Sequence, residues 1–330
     1  LRKLWLPVIV LTLFLFLGCT AAKIRLFPSQ ADPLKEFTLE GKADQKILVI
    51  PIRGVISDAP REGIIRTRPS LVQEVVSQLR LAEDDKKVKA VVLKIDSPGG
   101  SVTASDILFN EIMRFKERTG AKVVVAMMGL AASGGYYISL PADYIVAHPT
   151  TLTGSIGVIF LRTKIAGLME KIGVGVEVNK SGINKDMGMP YRPATAQENK
   201  ILQTMTDRLG IRFIDLAAKY RNLDSAVTAQ IATARIYLAN EALELGMVDE
   251  IGYLDQALAK AKQLAELPEN ARVIVYRRTE YPDDNIYNTA TRYGGGDLSV
   301  LSVDLLPDAL DQFSTGFYYL WPAAAFSEDR

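Results

Sequence analysis

The stretch Val88-Lys89-Ala90-Val91-Val92-Leu93-Lys94-Ile95-Asp96-Ser97-Pro98-Gly99-Gly100 decides the fold. It begins as a nearly continuous apolar run, the pattern of a strand buried on both faces. It closes on a Pro-Gly-Gly turn. A helix is predicted over about 103–118, where Ile107, Leu108, Ile112 and Phe115 share one side. A second buried strand follows at 122–127. Strand, helix, strand in that order is a βαβ unit, whose strands run parallel. Working outward, Ile47-Leu48-Val49-Ile50 reads as a strand, 70–82 as a helix, Tyr144-Ile145-Val146-Ala147 as a fourth strand and 174–178 as a fifth. Further on, Thr195 and Glu198 form a capping box at the head of a long helix reaching about Tyr220, with shorter helices at 239–245 and 254–266. The class expected is α/β: a mainly parallel sheet with flanking helices and a helical C-terminal part.

The chain has 330 residues, 48% of them hydrophobic, and a net charge of +1 from 39 basic and 38 acidic residues. That balance gives no reason to expect nucleic acid as a partner. There is one histidine, His148, and one cysteine, Cys19. Together they are too few for a zinc site of the usual Cys/His type, and one cysteine rules out an internal disulfide. No acidic cluster suggests a carboxylate metal site, and no cofactor is expected.

The N-terminus reads as a targeting segment. Arg2 and Lys3 precede an apolar run over 4–18, and small residues follow. One reading is a bacterial lipoprotein signal cut before Cys19, the lipidation candidate, although Leu17 is large for that pattern. The other is an uncleaved anchor. In both, Arg2 and Lys3 stay in the cytoplasm and the bulk of the chain lies on the extracytoplasmic side of the cytoplasmic membrane. The organisation expected is a signal or anchor at 1–22, a polar linker at 23–45, a folded domain at 46–275 and a tail at 276–330. The tail run Phe317-Tyr318-Tyr319-Leu320-Trp321-Pro322 suits docking on another subunit or in a groove, and disorder equally.

Chemistry concentrates in Ala131-Ala132-Ser133-Gly134-Gly135-Tyr136-Tyr137, which follows the strand at 122–127 and opens a helix. A serine there has free backbone N–H groups beside it and a favourable helix dipole. Taken alone, the segment reads as an ordinary helix cap. Gly99-Gly100 ends a strand at the same carboxyl end of the sheet, where open α/β folds place their sites, and it too reads alone as a turn. A serine hydrolase normally takes its base from histidine. His148, at the end of the neighbouring strand, is open as that base, although a structural loop histidine is the commoner case. A desolvated lysine is the main alternative.

Taken together, three motifs closely resemble the signal peptide peptidase A family, bacterial membrane serine proteases of a ClpP/crotonase-like fold. They are Asp96-Ser97-Pro98-Gly99-Gly100, the Ser133 segment and Thr153-Gly154-Ser155-Ile156-Gly157-Val158. The likeness continues through Lys180-Ser181-Gly182-Ile183-Asn184-Lys185-Asp186 and through Ala242-Leu243-Glu244-Leu245-Gly246-Met247-Val248-Asp249-Glu250-Ile251-Gly252, covering about residues 45–270.

The resemblance implies a Ser/Lys dyad with Ser133 as nucleophile and Lys185 as general base. It implies that Ser155 orients the lysine and that Gly100 and Gly134 supply the oxyanion N–H groups, with Gly99 the weaker choice. It further implies a homo-oligomeric ring, with the dyad of the short form drawn either from one chain or from neighbouring subunits, and signal peptides and other short apolar peptides as substrates. This chain carries each motif once. It departs from the family at Asn184, where an aromatic is usual, and at Ala234, where glycine is usual. Two rivals are a crotonase-like acyl-CoA enzyme and a catalytically silent membrane scaffold.

Overall fold

Apolar runs become central strands here because both faces of one sheet are covered. In a computed structural model, residues 33–62, 67–289 and 315–325 are described. The residues from Leu34 onward form one unit. Its strands are β1 (Lys35–Glu40), β2 (Lys46–Arg53), β3 (Val88–Ser97), β4 (Gly99–Ser101), β5 (Lys122–Ala132), β6 (Tyr144–Ala147), β7 (Leu152–Gly154), β8 (Ile159–Leu161), β9 (Ile236–Leu238), β10 (Glu250–Ile251), β11 (Arg272–Arg277) and β12 (Gly316–Leu320). The main sheet runs β1-β11-β2-β3-β5-β6-β10. Along that path all neighbours are parallel except the β1–β11 pair; β7 branches from β5 in parallel and carries β9 antiparallel. The helices named below are α1 (Leu71–Asp84), α2 (Val102–Thr119), α3 (Gly134–Tyr137), α4 (Ala196–Arg221) and α5 (Leu254–Leu264).

One face of the sheet packs Leu48, Ile50, Val91, Leu93, Val123 and Val125 against α1 and α2. The other packs Ile47, Val49, Val92, Val124 and Val273 against Leu254, Ala257, Leu258 and Ala261 of α5. Alternate residues of the same strands therefore serve opposite cores, which is why these strands read as unbroken apolar runs.

The βαβ unit forms as expected, and α4 carries the expected capping box, with Glu198 N–H donating to Thr195 Oγ1 at 3.1 Å and Thr195 N–H to Glu198 Oε2 at 2.8 Å. Three details differ. Lys35–Glu40, within the stretch read as linker, is an edge strand of the main sheet. β11 extends that sheet where no strand was expected. The run 174–178 is not a strand: Val174, Val176 and Val178 are 51%, 49% and 47% exposed. A period-two apolar run becomes a strand only with a partner ladder, and the described residues of the single chain offer none. Among the described residues no helix is long and apolar enough to cross a membrane. Residues 1–22, Cys19 included, lie outside the described residues.

Candidate active site

The carboxyl ends of β3 and β5 meet two glycine turns. After β3, Ser97 Oγ donates to the Gly54 carbonyl at 2.7 Å and accepts from Gly99 N–H at 3.1 Å. Asp96 Oδ1 accepts from Leu130 N–H at 3.1 Å, tying this turn to β5. β5 then runs beyond its expected end, paired with β7 from Leu130 to Ala132. Ser133 follows at once, its N–H donating to the Gly154 carbonyl at 2.7 Å.

Ser133 is held in an uncommon conformation, φ 54° and ψ −115°, of the kind glycine adopts freely. Such strain persists where the surroundings over-determine it. The side chain is fully buried, and Oγ has no hydrogen-bond partner among the described residues. A buried hydroxyl without a partner costs stability, so a reason for keeping it is called for.

The glycines around Ser133 are required by close approach. A Cβ on Gly134 would lie 3.0 Å from Gly99 Cα and 3.1 Å from Gly100 N. A Cβ on Gly100 would lie 1.8 Å from the Ile56 carbonyl oxygen. Backbone amides from both turns therefore crowd one spot beside Ser133. Because α3 spans only Gly134–Tyr137, its dipole is small, and stabilisation of an anion falls to individual N–H groups.

Ser155 also has positive φ, 52°, and it is buried, its N–H donating to the Arg235 carbonyl at 2.8 Å. Ala132 pairs with Gly154, so Ser133 and Ser155 each follow directly on the last paired residue of adjoining strands. His148 does not join them. Its N–H donates to the Met127 carbonyl at 2.9 Å, its Nδ1 accepts from Thr150 N–H at 3.2 Å, and its ring packs edge-on against Tyr253. Ser133 lies beyond the C-terminal end of β5, past a bulge between Met127 and Ala131, roughly 10–15 Å from that level at the rise of a strand.

Lys185 is exposed, on the segment between β8 and α4. The structure does not bring it to Ser133 Oγ within one chain. What fixes its neighbourhood is an ion cluster that sequence reasoning missed. The buried Asp186 accepts from Lys180 Nζ at 2.8 Å, and from Arg192 Nε and Nη2 at 2.8 Å each. Arg192 also donates to Glu198 at 2.5 and 3.0 Å, clamping the loop to the first turn of α4. Bonding to Arg192, and then to Lys180, holds the Asp186 carboxyl far below the usual carboxylate range. Bonding to Arg192 takes Glu198 down from 4.5 to about 2.

Both carboxyls are depressed in the folded chain, so the stability they lend through Arg192 is complete above about pH 4.5; the Glu198 share is lost as pH falls toward 2, and the Asp186 share persists to lower pH. Pepsin should therefore cut the segment 173–195 progressively faster across that window. Arg192→Met should give fast cutting throughout it. A cutting rate in the parent chain that follows only pepsin's own pH dependence would refute the clamp.

Comparisons with known proteins agree with this arrangement. The model of peptidase family S49 matches residues 116–268, and the Clp protease model matches residues 65–151. A protein of Enterococcus faecium provisionally assigned as signal peptide peptidase SppA is 36% identical over 77% of this chain and 73% of its own length. The chain belongs to peptidase family S49. A protein of Methanocaldococcus jannaschii provisionally assigned as a protease is 38% identical over 65% of this chain and 68% of its own. Serine protease SPPA of the Arabidopsis thaliana chloroplast is 33% identical over 85% of this chain and 41% of its own length. A point mutant of ClpP1 from Listeria monocytogenes superposes at TM-score 0.41 and 22% identity, over 64% of this chain and 94% of that one. The S49 chain is thus a serine-type peptidase with a ClpP-like α/β fold.

Proposed function

We propose that this S49 peptidase is a membrane-anchored endopeptidase with its catalytic unit on the extracytoplasmic side, cutting remnant signal peptides and other short apolar peptides with a Ser133/Lys185 dyad. The observation that carries the reading is Ser133: buried, strained and without a hydrogen-bond partner, amid amides that only glycines could bring so close. Lys185 takes the proton of Ser133 Oγ as it attacks a peptide carbonyl. The Gly100 and Gly134 N–H groups hold the oxyanion. Lys185 returns the proton to the leaving amine, and water then hydrolyses the acyl-enzyme. Ser155, which follows the last residue of β7 as Ser133 follows that of β5, orients the lysine.

A lysine base must be neutral, which calls for burial. In the single chain Lys185 is exposed, as are its neighbour Ile183, at 76%, and the Val174–Val176–Val178 edge. Assembly of copies into a ring, with the dyad shared between neighbours, would cover this surface and account for the lone Ser133 hydroxyl.

The test is labelling by a serine-directed phosphonate, read by mass spectrometry, together with a pH profile of peptide cleavage and the His148→Ala variant. The label should fall on Ser133, activity should rise on the alkaline side, and His148→Ala should stay active. A label elsewhere, an acidic optimum or a dead His148→Ala enzyme would each count against the dyad.

A further inference from the structure

Ser105, near the head of α2, is a fully buried hydroxyl for which the Ser133/Lys185 chemistry has no use. A buried serine inside a helix carries a cost, since alanine is the better helix former and has no polar group to satisfy. Ser105 Oγ donates to the Ser101 carbonyl at 2.9 Å. That bond accounts for the proton, yet back-bonding of this kind slightly destabilises a helix. The reason for a serine lies on the other side of the oxygen.

The position a Gly134 side chain would take lies 2.6 Å from Ser105 Oγ. Gly134 Cα therefore rests on the hydroxyl in van der Waals contact. Ser101, whose carbonyl the same hydroxyl binds, directly follows Gly100 and caps α2, its Oγ accepting from Ala104 N–H at 3.1 Å. Ser101 N–H donates to the Ile56 carbonyl at 3.0 Å, which fixes the peptide joining it to Gly100. One oxygen is thus bonded to the turn that carries Gly100 and pressed against the turn that carries Gly134.

The next residue of α2 braces the other end of α3. Asp106 Oδ1 accepts from Tyr137 Oη at 2.6 Å and from Arg212 Nη2, on α4, at 2.7 Å. The short helix is therefore held at Gly134 by Ser105 and at Tyr137 by Asp106. With both ends seated on α2, the gap between the two glycine turns is set by the size of one atom.

We propose that Ser105 is a positioning residue of the oxyanion site, its Oγ being the spacer that sets the separation of the Gly100 and Gly134 N–H groups. This rests on Ser133 being the nucleophile and on those two amides receiving the oxyanion. Ser105→Ala leaves a gap the width of an oxygen, into which Gly134 relaxes. Ser105→Cys drives Gly134 outward, because the C–S bond is longer than C–O and sulfur is the larger atom. Serine is the optimum between the two. An oxyanion donor out of place weakens the transition state and leaves ground-state binding of the peptide alone.

The test compares Ser105→Ala and Ser105→Cys with the parent, each as the full assembled chain. In both variants kcat for a short peptide should fall about tenfold or more with KM unchanged. Affinity for a peptide aldehyde should fall by the same factor as kcat, because its tetrahedral adduct with Ser133 puts an oxygen at the two amides. The alkaline limb of the pH profile should stay where it is, since Lys185 is untouched. Ser105→Ala should melt at or above the parent temperature. A merely structural serine predicts the opposite pairing, a lower melting temperature with kcat retained. Full kcat in either variant, or a fall in kcat with aldehyde affinity unchanged, overturns the spacer. Failure of the underlying reading looks different: an aldehyde that binds Ser133→Ala as tightly as the parent would sink the nucleophile, and the spacer with it, whatever the Ser105 variants do.

Discussion

Ser133→Ala should abolish peptide hydrolysis, by about 10⁴-fold or more, while making the protein more stable. The first half follows from loss of the nucleophile. The second follows from the cost the native chain carries at that position. In the unassembled chain the buried hydroxyl, with no partner among the described residues, destabilises by about 1–3 kcal/mol, and alanine removes it. Ser133→Gly should go further, since glycine also relieves the strain of φ 54° and ψ −115°, worth about 1–3 kcal/mol. Glycine's greater freedom in the unfolded chain gives back about 0.5–1 kcal/mol. Thermal unfolding of the unassembled chain should place the glycine variant at or above the alanine variant, and both above the parent by roughly 2–4 °C. A structural serine predicts the reverse: lower melting temperatures and retained activity. Residual hydrolysis above one part in a hundred would remove Ser133 from the mechanism.

The legible part of the fold was the part whose burial is local to the sequence. Strands β2, β3, β5 and β6 are read from their apolar runs because each is sandwiched between two cores. The glycine turns are read because their spacing survives in one chain. The run 174–178 shows where that logic fails: its pattern is a strand's, but a strand needs a neighbour. β12 fails in the opposite sense. Phe317, Tyr318 and Tyr319 form a strand because a slot exists between β8 and β4, and nothing local in the tail specifies that slot. The Asp186–Arg192–Glu198 clamp was hidden for another reason. Its six-residue spacing matches no helix period and falls in a segment that is neither helix nor strand until Ala196, so only the closed loop brings the three groups together. The capping box at Thr195 and Glu198 was legible, but its second use of Glu198 as an acceptor for Arg192 was not.

Lys185→Ala should be as inactive as Ser133→Ala, again by about 10⁴-fold or more, with little change in stability because the side chain is exposed in the single chain. The two dead variants, unfolded together and reassembled as a mixture, distinguish the two ways the dyad can be built. If serine and lysine come from one chain, every site in the mixture lacks one of them and the mixture stays dead. If they come from neighbours across a head-to-tail interface, random assembly pairs an intact Ser133 with an intact Lys185 in about a quarter of the sites, and activity returns in that proportion. Arg192→Met adds the geometric half of the argument. It leaves both dyad residues in place but frees the loop that carries Lys185 from Glu198 and from one of the two cations on Asp186. A misplacement of about 1 Å costs on the order of 10²-fold in turnover, so kcat should fall by that order while KM for a short peptide stays put. A normal kcat in Arg192→Met would mean that the lysine is positioned by the neighbouring copy alone. A restored mixture together with a crippled Arg192→Met would mean that each chain shapes the loop and delivers it to the next.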